Sequence, residues 1–498
     1  MTQRRTFLGS LGSLPLAGFG IGWAQAATGA TPAMTMGAAA SVKLAAVEAL
    51  AQGAPLNGLT RLVNTSGQAG LFRANLVAAP VSVPLLAGAA TEFWSYNASL
   101  PGPLIEAVEG DRVEILFENR LPQPTTVHWH GLPVPADQDG NPHDVVAPGA
   151  RRWYRFSLPM GSAGTYWYHP HPHGHTPEQV YRGLAGTFIV RAKADPLAGM
   201  PERLLVISDL KLGADGRIAP NDANDEMNGR EGQFALVNAQ RQPVLPFDQG
   251  GRERWRIWNA SSARFLRLML PGAGLTLVGT DGGLLERPVS GLNELLLAPA
   301  QRAELVVDAG AKLGRVELVA GVYERGKMGT VPDEKALTLL TVDFSRVGAL
   351  ARQPLPATLG RVPALGRPSA RKRVVFSEEM SMAGGQHDMK FLVNGKQFDM
   401  HRVDLTSRVG QAELWEIVNE ADMDHPFHLH GTQFQVIEHQ IDGKVTPAPY
   451  RAWRDTVNVR SGETVRFKVV QPLKGLRMFH CHILEHEGAG MMGQLKVI

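Results

Sequence analysis

Cys481 is the only cysteine among 498 residues, and it lies between two histidines in the run Phe479-His480-Cys481-His482. His486 follows it by five positions and Met491 by ten. Two imidazoles, one thiolate and a weak thioether make a blue copper electron-transfer site. His425, Cys481, His486 and axial Met491 supply that set. Met492 is the neighbouring thioether, and the ten-residue spacing selects Met491. A single cysteine cannot form an internal disulfide, so a thiol in an oxidising compartment needs another role, and metal ligation is one.

Three further clusters accompany it: His128-Trp129-His130, His169-Pro170-His171 and His425-Pro426-Phe427-His428-Leu429-His430. Alternate side chains of a strand share a face, so a His-x-His pair aims both rings the same way. Trp129, Pro170 and Leu429 then face the other side. In His480-Cys481-His482 the sulfur takes one face and both imidazoles the other. A metal on Cys481 is therefore joined through few bonds to metals on His480 and His482. Eight histidines, 128, 130, 169, 171, 428, 430, 480 and 482, have no thiolate partner. Eight ligands exceed one ion; two ions with three each and a third with two is the sensible division.

The elements that must position these groups are strands. Val113–Phe117, Glu304–Val307, Leu337–Val342 and Thr464–Val470 carry β-branched or alternating patterns. With 54 Gly, 34 Pro and 19% charged residues, composition also favours short strands and turns over long helices. One frame occurs three times: Gly110–Asn119, Gly250–Asn259 and Gly410–Asn419. Nine residues after each Asn stand His128, Leu268 and His428, followed two further on by His130, Leu270 and His430. The outer copies carry metal-type residues and the middle copy core-type residues. Three similar β domains are expected at 71–195, 196–350 and 370–498, with a Pro-rich basic linker over 351–369.

Residues 1–26 resemble a twin-arginine export signal. Arg4-Arg5-Thr6-Phe7-Leu8 precedes a weakly apolar stretch and the small-residue pattern Ala24-Gln25-Ala26. Its short apolar run argues against an anchor, and no other segment is long enough to span a bilayer. Residues 27–70 read as an Ala/Gly-rich linker in which Val42–Gln52 could form a short helix. A periplasmic or otherwise exported protein is expected, engaging the twin-arginine export machinery. The net charge is +3, two units of it from Arg4 and Arg5. Nothing in that balance points to nucleic acid.

Together these motifs resemble the multicopper oxidases, particularly the bacterial laccase-like and cuprous-oxidase branch, over about 71–498. The resemblance implies an all-β chain of three cupredoxin-like Greek-key β-sandwich domains and four copper ions. The type 1 copper belongs to the third domain. His128 and His428 would hold type 2 copper. His130, His169, His171, His430, His480 and His482 would hold the type 3 pair. Pro170 stands where a cysteine would be needed for a type 1 copper in the first domain. Electrons would pass one at a time through the exposed edge of His425 or His486, cross Cys481, and reduce dioxygen to water. Glu487 and Asp139 match carboxylates that supply protons. His173 and His175 are not ligands in that pattern.

The donor expected first is a phenol or aromatic amine. The alternative is Cu(I) in periplasmic copper tolerance, which calls for thioether or mixed Met/Asp ligands. Met380, Met382, Met389, Met400 and Met423 are scattered, with Asp422 and Asp424 near His425, and there is no compact Met-rich insertion. A third reading is a non-catalytic copper-binding protein, which would bind copper and consume no oxygen.

Overall fold

The computed structural model describes residues 42–348, 353–383 and 386–498, with the side chains of 382–388 excepted. The export-signal reading and the first part of the adjoining linker fall outside this range, as does the Met382 side chain. Among the described residues no helix is long and apolar enough to cross a membrane.

Six sheets build three sandwiches. In the first, a four-stranded sheet with Leu71–Leu86 and Arg112–Asn119 at its centre faces a second containing His128–His130 and Gly164–His169. Alternating residues of both sheets, among them Ile115, Phe117, Trp129, Tyr154, Tyr168 and Phe188, form one buried core. The middle sandwich packs a seven-stranded sheet on a five-stranded one around Trp255, Leu268, Leu305 and Phe344. The third packs six strands on five. In the five-stranded sheet, Gly475–Cys481 runs between His425–Leu429 and Met492–Val497.

The repeated frame has a physical basis. Each copy forms a strand, Arg112–Asn119, Arg252–Asn259 and Ala412–Asn419. Its terminal Asn clasps the following turn in the same way each time. The Asn119 amide donates to the Gln123 and Val146 carbonyls. Asn259 donates to Arg264 and Leu297, and Asn419 to Met423 and Val459. Each side-chain oxygen accepts the backbone N–H two residues on. These buried amides are thus satisfied by the turn that leads into the His-x-His or Leu-x-Leu segment. Trp129 and Leu429 enter their domain cores while the flanking imidazoles face away; Leu268 and Leu270 fill the middle core instead.

Residues 42–70 are more tied down than a linker reading suggests. Only Val47–Ala49 is helical, as a single 3-10 turn. The remainder bridges Leu44 to Gly213, Gln52 to Arg241, Pro55 to Val244 and Arg61 to Leu104. It lacks helical spacing of apolar residues, and strand edges satisfy its backbone.

Candidate metal centre

The buried histidines converge into distinct groups. His130, His169 and His482 form one, and His171, His430 and His480 a second. His128 and His428 lie between them with His430 close by. His425, Cys481 and His486 form a separate group. The first eight rings are 0–1% exposed. They come from two domains in a near-symmetric stack: His128 lies on His430 and His130 on His428, both at 3.7 Å between ring centres.

In four of the eight rings the outer nitrogen is fixed by a backbone carbonyl. His128 Nδ1 meets the Asp139 carbonyl, His169 Nδ1 the Pro170 carbonyl, His428 Nδ1 the Asp455 carbonyl and His480 Nδ1 the Cys481 carbonyl, at 2.8–3.1 Å. With Nδ1 donating, Nε2 is left as a lone pair. The Nε2 atoms of His128, His130, His169, His428 and His482 are buried without a partner. Those of His171 and His430 lie 3.3 and 3.1 Å from His480 Nε2. A metal–imidazole bond of about 2.0 Å spaces trigonal or tetrahedral ligands by about 3.3–3.5 Å. The donor set therefore fits metal ions, and orphaned lone pairs at such density have no other physical account.

Burial, then repulsion from neighbouring rings, holds His130, His169, His428 and His430 well below the usual imidazole range. Neutral rings are the ligating form. Burial pushes the Cys481 thiol up; a bound soft cation reverses this, because a coordinating thiol is deprotonated outright.

In the cysteine group, His425 Nδ1 is 3.3 Å from Cys481 Sγ and 3.3 Å from His486 Nδ1. Met491 shares the buried cluster of Cys481, whereas Met492 packs elsewhere with Phe398 and Met478. The outer ring atoms are again engaged. His425 Nε2 meets Glu378 Oε1 at 3.0 Å, and His486 Nε2 meets the Met227 carbonyl at 3.1 Å. The exposed histidine edge expected from the sequence does not exist: both rings are 0% exposed. Glu378 covers one, while Phe391 stacks on the other at 3.9 Å. Strand Gln386–Val393 and residue Met227 close over positions that local sequence left open.

Both predicted carboxylates reach the histidine cluster. Asp139 is fully buried, with one oxygen 3.1 Å from His128 Nδ1 and the other 3.4 Å from His430 Nδ1 and from Arg477. Glu487 lies 3.7 Å from His171 Nδ1 and 3.5 Å from His480 Nδ1. Burial pushes its carboxyl up to about 8. His173 packs on Phe398, away from the cluster.

Three residues escaped the sequence reading. Asp455 mirrors Asp139: its Oδ1 is 3.5 Å from His130 Nδ1 and 3.8 Å from His428 Nδ1. Arg302, fully buried, donates to Asp455 at 2.7 Å and to the Thr165 carbonyl at 2.8 Å. The middle domain thereby clamps both ligand-bearing domains. Glu378 is the third. None lies in a motif; the threefold repeat was the available signal, and it ends short of them.

Three β-sandwiches with a His2Cys group in the last and eight histidines between the outer two define a cupredoxin-type copper protein. The multicopper oxidase family matches at residues 78–195, 207–338 and 375–498, and the chain belongs to that family. It is a copper-dependent oxidoreductase with dioxygen as acceptor, carrying type 1, type 2 and type 3 copper. The multicopper oxidase mco of Staphylococcus epidermidis is 34% identical, over 81% of this chain and 83% of that protein. A Bacillus subtilis laccase is 28% identical, over 82% and 90%. The structure of a Campylobacter jejuni multicopper oxidase, described as a metallo-oxidase, superposes with a TM-score of 0.87 at 43% identity, covering 92% of this chain and 98% of that one.

Proposed function

We propose that this oxidase draws its electrons from a soft metal ion such as Cu(I), in preference to a phenolic or aromatic amine donor. The observation that carries the reading is Glu378. Its side chain is 7% exposed, one oxygen touches His425 Nε2, and Oε2 has no partner. A cation on that carboxylate stands one side chain from a ligand of the cysteine group. Two positions along the same strand face, Met380 is exposed, and Met389 opposes it across the hairpin. Thioethers and a carboxylate suit Cu(I). A ring-shaped donor needs an open imidazole edge, and Glu378 and Phe391 cover both. The Campylobacter jejuni relative is described as a metallo-oxidase.

Bound copper supplies the one-electron relay and the reduction of dioxygen. The residues of this chain hold and insulate it. His425, Cys481, His486 and Met491 would form the type 1 site. His128 and His428 would hold type 2 copper, and the two three-histidine groups the type 3 pair. Cys481 joins donor and acceptor sides through the backbone to His480 and His482. Glu487 holds a proton beside His171 and His480, and Asp139 serves the opposite side. Export through the twin-arginine route to the periplasm belongs to the same proposal and rests on Arg4-Arg5. The complete ligand set argues against a non-catalytic copper store.

Oxygen uptake by the copper-loaded protein, with Cu(I) and with a phenol side by side, tests the reading. Cu(I) should support uptake, and Glu378→Gln should raise KM for Cu(I) while sparing kcat. A protein that consumes oxygen with the phenol and none with Cu(I) defeats the donor assignment. One that consumes none with either is a store.

A further inference from the structure

Arg325 stands between strands Arg315–Gly321 and Leu337–Arg346 of the middle sandwich, and its side chain is 1% exposed. It meets the cysteine group of the third sandwich from two directions. Its backbone carbonyl accepts the Asp424 N–H at 2.8 Å, one residue before His425. Its guanidinium donates to the Asn228 carbonyl. The preceding carbonyl, that of Met227, lies 3.1 Å from His486 Nε2. Arg325 Nη1 is 3.4 Å from the Met423 sulfur, and Met423 shares one buried cluster with Cys481 and Met491. A cation from the middle domain therefore rests against the residues that seat both histidines.

That cation is poorly neutralised. Its carboxylate partner is Glu231, at 3.3 Å. Glu231 also serves Arg264 at 3.1 Å and Lys327 at 2.8 Å. Arg264 has Asp209 besides, and Lys327 has Glu334; among the described residues Arg325 has Glu231 alone. The Asp424 carboxylate is turned to Tyr323, Asn458 and the Ser461 N–H. Arg325 Nε is buried without a partner. The charge reaches the ligands: burial pushes the Cys481 thiol up, and Arg325 is among the groups that draw it back. Adhesion between two domains needs no such charge, because well-packed apolar side chains of like volume often hold an interface as well or better. A buried, half-neutralised guanidinium acts on its surroundings through space, at low effective dielectric.

We infer that Arg325 of the middle domain raises the reduction potential of the type 1 copper held by His425, Cys481 and His486. The sign follows from charge. A neighbouring cation repels Cu(II) more than Cu(I), so it favours the reduced ion. Glu378, on the far side at His425, acts in the opposite sense. A partly neutralised unit charge at an effective dielectric of about 20 changes the ratio of the two oxidation states by about tenfold. For one electron that is about 59 mV. Arg325 touches no ligand directly and is a positioning and charge-setting residue. The inference is the same whether a metal ion or a phenol feeds the site, so it stands or falls separately from the donor assignment.

Anaerobic redox titration of the copper-loaded full chain against ferrocyanide and ferricyanide, read in the blue absorption, tests it. Arg325→Met removes the charge and keeps the length. At a fixed poise its Cu(I) to Cu(II) ratio should fall about tenfold, a downward shift of about 59 mV, with the wavelength of the blue band unchanged. Arg325→Lys keeps the charge and should stay closer to wild type. Glu231→Gln leaves Arg325 unopposed and should move the midpoint upward. An unchanged midpoint in Arg325→Met overturns the inference, as does an Arg325→Lys midpoint just as low. A downward shift in Glu231→Gln overturns it too. So does a shift in Arg325→Met that comes only with a displaced blue band, since that reports movement of the ligands. Should Arg325→Met fail to load copper, Glu231→Gln decides: an upward midpoint upholds the inference, and an unmoved or lowered one overturns it.

Discussion

Replacing Asp455 by Asn tests whether its carboxylate holds the histidines in register. The amide keeps the shape and removes the charge. Two costs follow. His130 Nδ1 has no partner other than Asp455 Oδ1 at 3.5 Å. Loss of a carboxylate behind a metal-bound histidine typically weakens metal binding about 10–100-fold, or about 1.4–2.8 kcal/mol. The second cost is to folding. Arg302 is 0% exposed and keeps only Asp281, at 3.7 Å, as an anionic neighbour. Breaking a buried charge pair costs about 3–5 kcal/mol. The Asp281 carboxylate and the carbonyls of Thr165, Ala300 and Asp281 still face the guanidinium, so the lower end, about 3 kcal/mol, applies here. For one sandwich melting on its own that corresponds to a shift of roughly 10 °C, and for the whole chain melting as a unit to about 3 °C. Copper retained after dialysis against graded chelator reads the first cost, and calorimetry of the copper-free protein reads the second. Asp343→Asn, whose partner Arg315 is 68% exposed, is the control and should change neither. Wild-type copper retention together with a wild-type melt in Asp455→Asn would refute the reasoning.

Cys481→Ser should abolish the blue colour and oxygen turnover with Cu(I) while far-ultraviolet circular dichroism stays unchanged, since the hydroxyl fits the space of the buried thiol. Metal analysis should find one copper fewer. Gly140→Ala should displace Asp139: Gly140 has φ +68°, and a Cβ would collide with the Val127 carbonyl next to His128. Slower turnover with altered type 2 resonance is the expected sign. Copper-free protein should lose stability steeply as pH falls below 6.5. Seven imidazoles (His130, His169, His171, His428, His430, His482, His486) are held well below that value by burial, and His480 falls to about 3. The unfolded chain binds those protons first, so stability is complete above 6.5 and drains away toward 3. Glu485 and Glu487, pushed by burial up to about 7 and about 8, act in the opposite sense and lose stability as pH rises from 4.5. Asp144, Asp209, Asp225, Glu226 and Asp281 are raised as well, but Glu202, Glu231 and Glu463, held at about 2, add to the acid side, and with the eight imidazoles they leave the acid limb the steeper one in urea titrations across pH. Comparable limbs would contradict that balance.

Much of the centre was legible because it depends on strand alternation, which is local. His-x-His spacing gave facing rings, and the shared Asn offset identified the histidine-bearing domains. What stayed hidden was set by distant packing. Glu378 meets His425 from 47 residues away, and Arg302 meets Asp455 from 153. The edge of His425 looked open because its cover comes from another strand pair. Trp167 precedes the second motif by two residues, and nothing in its local sequence marks it; its packing on His130, His169 and His482 does.

The middle sandwich, which contributes none of the clustered histidines, has a consequence for anyone wishing to shorten the chain. A version reduced to its two outer thirds would retain every ligand. It would lose Arg302, whose side chain grips the first domain's backbone and the third domain's Asp455 at once. Such a miniature would own all the teeth of the lock and lack the plate on which they are mounted.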